Sequence, residues 1–179
     1  SANACTQNQT GSASVIVNPL PTATVAGNTA VCLNEVSPNI TFTGAGSTAP
    51  YTFTYNINGG APLTVTTTVG NSITVAVPTN ISGTFIYNLL SVQDASSTTC
   101  SQNQTGNSVV TVHPLPVINF TNSTPSCETR DILFTDNSNP LVGTLTNWAW
   151  NFGDPGSGAN NTSTLQNPTH TFSTAGNYT

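Results

Sequence analysis

The chain has 179 residues and a formal charge of −5, and only 4% of its residues are charged. Lysine is absent and Arg130 is the single strong base, so nothing in the chain can neutralise a phosphate backbone, whose binding needs several cationic contacts that release counterions. Nucleic acid is therefore excluded as a partner, and so is direct membrane insertion, because no basic amphipathic stretch and no apolar run of roughly 20 residues is present.

Taken in order, the elements are of one kind. Residues 1–21 read as the last strand of a preceding domain plus a linker: SASVIVN (12–18) runs into Pro19-Leu20-Pro21, where two prolines lacking a donor N–H end sheet pairing and stiffen the junction. Apolar and polar residues then alternate in NITFTG (39–44), YTFTYNI (51–57), LTVTTTV (63–69), SITVAV (72–77), TFIYNLLSV (84–92) and SVVTVHP (108–114). Each run is short and bounded by Gly, Pro or Asn, the pattern of half-buried strands in an all-β sandwich. Asn58-Gly59-Gly60 reads as a hairpin turn. No window carries a 3.6-residue period, so no helix beyond single turns is expected.

A fixed spacing organises these runs. CTQNQTG at 5–11, followed by SASVIVNPLP, returns as CSQNQTG at 100–106, followed by NSVVTVHPLP, and the same 95-residue step carries Pro19 to Pro114 and Cys32 to Cys127. Self-similarity on the scale of a domain indicates tandem duplication into a linear array of modules. The boundaries that follow are residues 22–116 as one complete Ig-like sandwich and residues 117–179 as a second sandwich lacking its final strands. The two ends then look like complementary halves of one module. Residues 1–18 are expected to pair with a domain of a preceding unit, head to tail, either within one long polypeptide or by strand donation between copies.

All four cysteines sit on the lattice, which indicates an oxidising compartment. The reading favours a bridge from Cys32 to Cys100 that staples the complete sandwich, leaving Cys5 and Cys127 to adjoining units. Closing that loop of about 69 residues is worth roughly 4 kcal/mol in the chain-entropy account. The alternative that also keeps the lattice joins Cys5 to Cys32 and Cys100 to Cys127.

The last third carries a resemblance. FTDNSNP (134–140), WAWNFGDPGSG (148–158) and LQNPTHTFSTAGNYT (165–179) resemble the PKD domain, with Trp150, Phe152, Gly153, Asp154, Asn167, Pro168, His170, Phe172, Gly176 and Tyr178 on the family pattern. Pro155 departs from it, which implies a longer turn after Asp154. The preceding module, with VCLNEVSPNITFTG, APYTFTYNINGG and the PLP linkers, is similar to Ig-like repeats of large surface adhesins of gliding and related Bacteroidota. What these resemblances imply is an extracellular or cell-surface protein exported by a type IX route, its signal outside these residues.

Read from chemistry alone, the PKD-like residues are structural. The spacing of Trp148, Trp150 and Phe152 puts three aromatics on one strand face as core, with His170 and Tyr178 joining them. Asp154 reads as a turn carboxylate. Asp136 and Asp154 are weak candidates for calcium, since two aspartates without a ligand loop make a poor site for a hard cation; no cofactor is expected. Glu128, Arg130 and Asp131 form a charged cluster read as a solvated loop. His113 and His170 are the only imidazoles, and no nucleophile elbow, zinc motif or phosphate loop is present, so the chain is read as no enzyme. Nine Asn-x-Ser/Thr sequons are read as unmodified polar faces. Two functions remain: a spacer, stalk or filament segment of a fibre or adhesin, and, as the alternative, a module that binds a glycan or a protein. Exposed aromatics favour the second and full burial of Trp and Tyr favours the first.

Overall fold

The computed structural model describes residues 4–124 and 129–179. Cys127 and Glu128 lie outside the described residues. Two compact units divide the chain: Ser1–Thr29, Ser37–Val77 and Thr84–Val110 form one, and Ala30–Val36, Pro78–Gly83 and Thr111–Thr179 the other. The fold is all-β.

Strands β1 (Thr22–Ala26), β3 (Asn39–Ala45) and β6 (Ser72–Ala76) make a three-stranded antiparallel sheet in the order β1-β3-β6. A larger sheet runs β2-β9-β7-β4-β5, from β2 (Thr29–Cys32), β9 (Asn107–His113), β7 (Gly83–Gln93), β4 (Thr52–Ile57) and β5 (Leu63–Thr66), and β8 (Ser101–Asn103) also pairs with β7. Within the first unit the two sheets meet through their alternating apolar faces. Ile40 and Phe42 of β3 and Phe53 and Tyr55 of β4 are buried, and the ring of Phe42 lies 5.7 Å from that of Phe53 and 4.9 Å from that of Tyr55. One irregularity decides which residues of β7 face inward. Tyr55 opposes Leu89 while Thr54 opposes Ser91, so Leu90 is the extra residue of a β-bulge, and burial steps from Tyr87 and Leu89 to Val92. The hairpin between β4 and β5 turns at Asn58 and Gly59, with φ of 53° and 74°, the positive values that an Asn-Gly turn accommodates.

In the second unit, β10 (Phe120–Asn122), β11 (Asp131–Asp136) and β14 (Thr169–Thr171) form an antiparallel sheet in the order β10-β11-β14. A separate two-stranded ladder joins β12 (Trp150–Asn151) to β13 (Thr162–Ser163), with a 3-10 segment, Pro155–Asn161, between them. The aromatic run is thus strand for only two residues. Past Asn151 the chain leaves the ladder, the N–H of Phe152 donating to the carbonyl of Asn161 at 2.9 Å.

The bridge expected between Cys32 and Cys100 is not formed; Cys5, Cys32 and Cys100 are free thiols. The reason lies in the ladders. The residue after Cys32, Leu33, donates to the carbonyl of His113 at the end of β9, whereas the carbonyl of Cys100 accepts from Asp94 just past the end of β7. Each cysteine is thus held beside a different strand end.

Candidate functional site

The residues singled out in the last third converge on one aromatic cluster. Phe134 of β11 lies 5.9 Å from the Trp150 ring and 5.1 Å from that of Phe152, and Phe120 of β10 meets Trp150 edge-on at 5.3 Å. Phe152 stacks on His170 at 4.3 Å with 9° between planes, and the contacts continue through Phe172 to Tyr178. Phe152 and His170 are buried; Trp148, Trp150 and Tyr178 are half-buried. Tyr178 closes the corner by donating its hydroxyl to the carbonyl of Thr174 at 2.6 Å, the arrangement of a tyrosine corner in Ig-like sandwiches.

Two aspartates anchor the cluster's edges. The Asp154 carboxylate accepts from the N–H of Ser173 at 2.8 Å and from its hydroxyl at 2.6 Å, and Nε2 of His170 lies 3.2 Å away. The Ser173 hydroxyl foremost, then its N–H and His170, hold this carboxyl below its ordinary value against the opposing effect of burial. It is ionised at neutral pH, so it accepts, and Nε2 carries the proton. Asp136 accepts from the indole N–H of Trp148 at 2.8 Å and from the N–H of Ser138 at 3.0 Å. Its carboxyl is likewise lowered, chiefly by Ser138, with Trp148 and Gln166 adding.

Each carboxylate accepts from internal donors, and no cluster of three or more His, Cys, Asp or Glu fit to hold a metal occurs among the described residues. Nor is a nucleophile in place: Ser173 bonds to the aspartate and not to the imidazole. Asp154 and His170 pin the turn after β12 to the end of β14. Asp131 accepts from the hydroxyl of Thr171, and Arg130 is exposed.

One open surface adjoins the cluster. A hollow of about 390 Å³ is lined by Ile118, Phe120, Asp136, Asn147, Trp148 and Trp150, among others. A second, of about 760 Å³, lies over Phe120, Ile132, Phe134, Phe172 and Tyr178.

The motif order and the tyrosine corner have a counterpart among known families. Residues 113–179 match the PKD domain. PKD domains are non-catalytic, Ig-like modules found in extracellular proteins, which accords with a structural or adhesive repeat. No curated protein matches the chain. No helix among the described residues is long and apolar enough to cross a membrane. The PKD domain thus holds Trp150, Phe152, His170 and Tyr178 in one aromatic cluster, with Asp154 bound to His170 and Asp136 to Trp148.

A second polar network, in the first unit, escaped the sequence reading. Buried Asp94 accepts from the N–H and hydroxyl of Ser96 at 3.2 and 2.9 Å, and from the hydroxyl of Ser47. The Ser47 carbonyl in turn accepts from the Tyr51 hydroxyl at 2.5 Å. The Asp-x-Ser spacing of an Asx turn was the available signal.

Proposed function

We propose that the chain is a repeat segment of an extracellular fibre or cell-surface adhesin, in which sandwiches in series set reach and stiffness. Residues 22–116 are one complete module of that array, and residues 117–179 belong to the next. The carrying observation is the recurrence, at a 95-residue step, of the β8–β9 sequence and its PLP linker at residues 5–21, in series with a PKD domain. Modules on one lattice act as a quasi-one-dimensional object whose length scales with copy number. The partners are neighbouring units of the same kind, no cofactor is needed, and export follows the type IX route of the adhesins the modules resemble. Intact mass of the native protein together with electron microscopy tests this reading. Beaded filaments with a two-domain axial repeat are expected, and compact single particles overturn it.

A second reading, glycan binding, is favoured by one observation: half-exposed Trp148 and Trp150 line a hollow beside the Asp136 carboxylate and Asn147. An aromatic face flanked by polar groups suits a sugar ring. A glycan array against Trp148→Ala distinguishes it, since loss of a specific signal supports binding and a blank array rejects it.

A further inference from the structure

We propose that residues 12–18 are a β-strand that joins the PKD domain of a second copy of this chain, adding along β12 and laying Val15 and Val17 against Phe120 and Trp150. This rests on the array reading above and names its contact.

The donor side follows from one sequence in two settings. Across the 95-residue step, Val15 corresponds to Val110 and Val17 to Val112. In β9 those valines are 0% and 1% exposed. At the N-terminal copy Val15 is 81% and Val17 is 87% exposed, with Ile16 between them at 76%, and residues 4–18 belong to no strand. A run that is core in one module and bare in its copy carries an apolar face whose partner lies elsewhere.

The acceptor side is the open surface of the PKD domain. Ile118 and Phe120 are 82% and 51% exposed and Trp150 is half-exposed, although each belongs to the side of the domain that holds its aromatic cluster. Among the described residues β12 pairs only with β13, so its other edge is open to an added strand. Alternation then decides the facing: every second residue of the donor points inward, which sends Val15 and Val17 to the aromatics and Ile16 outward, as with its counterpart Thr111, half-buried in β9. Residues 4–18 carry no charge, so the contact is apolar and backbone-mediated and salt leaves it nearly unchanged.

The test uses the full 179-residue chain. Sedimentation over a micromolar range is expected to give mass rising in whole multiples of the monomer, equally at low and high salt. The double variant Val15→Asp/Val17→Asp is expected to weaken association at least about tenfold, as loss of two buried apolar side chains requires, with an unchanged melting curve because both residues are exposed in the monomer. With Ile16 replaced by p-benzoylphenylalanine and isotopically light and heavy chains mixed, photo-cross-links between copies are expected within residues 116–152. A chain that stays monomeric throughout, or cross-links confined to residues 22–110 of the same copy, overturns the proposal. Native filaments alongside a strictly monomeric chain overturn the strand contact alone. An associating chain whose native protein forms no filament overturns the array reading alone.

Discussion

His170 stacks flat on Phe152 while its Nε2 lies 3.2 Å from Asp154, so one imidazole joins the aromatic cluster to a buried carboxylate. Because the Asp154 carboxyl is lowered in the fold, above all by Ser173, its contribution to stability is complete above the unfolded carboxyl value of about 3.9 and is lost as pH falls through the lower folded value. The melting temperature is expected to hold from neutral pH to about 5 and to fall below about 4. Asp154→Asn should lower the plateau and make the acid decline shallower without removing it, since Asp94 and Asp136 are lowered too. Thermal melts followed by circular dichroism between pH 7 and 2 check this; an acid limb identical in the variant would dissociate Asp154 from it.

Phe152 and Trp150 differ in burial, and their truncations should differ accordingly. Phe152 is 6% exposed, so Phe152→Ala is expected to cost about 3–5 kcal/mol. Trp150 is half-exposed and keeps water on part of its ring, so Trp150→Ala should cost less. Urea unfolding monitored by tryptophan fluorescence, from both indoles in Phe152→Ala and from Trp148 in Trp150→Ala, orders the two.

The strands that sequence made legible are those with one face in water. β3, β4, β7 and β9 each alternate because Ile40, Phe42, Phe53, Tyr55, Tyr87, Val110 and Val112 face a core while their neighbours do not, and β5 and β6 follow with half-buried Val65, Ile73 and Val75. β2 and β8 are only four and three residues long, which leaves periodicity little to register. The cysteines misled for a different reason: their 95-residue step records duplication of the chain, whereas a bridge requires proximity, and the ladders fix Cys32 and Cys100 to separate strand ends. In the PKD domain the motif brought out Asp154 and His170, but the donors that lower Asp154 come from Ser173, 19 residues away, a contact no local pattern encodes. Asp94 sits in a polar run, VQDASSTTC, where composition cannot tell a buried carboxylate from a solvated one.

Cys5 and Cys32 are exposed and Cys100 is half-buried, all as free thiols. Iodoacetamide without reductant is therefore expected to label Cys5 and Cys32 in the native chain, and Cys100 more slowly, its sulfur lying 3.1 Å from the Thr98 hydroxyl. Non-reducing peptide maps decide the matter, and a Cys32–Cys100 peptide at stoichiometric yield would contradict the free thiols.

Gly44 is set by its neighbour across the core. A Cβ at this position in β3 would lie 2.5 Å from Cγ of Tyr51, closer than any carbon contact in a packed interior. The ring has little room to withdraw: Tyr51 is 1% exposed, its hydroxyl donates to the Ser47 carbonyl at 2.5 Å, and its N–H donates to the Thr67 hydroxyl at 2.9 Å. Gly44→Ala is thus expected to destabilise the first unit by about 1–3 kcal/mol, the range for overpacking a tight core. Tyr51→Phe should cost about 1 kcal/mol through the lost hydroxyl bond. In the double variant the two losses should add to less than their sum, because a ring freed from Ser47 can shift away from the new methyl group. Denaturant melts of the four chains provide the cycle, and strict additivity would mean that Tyr51 is held by packing and not by Ser47.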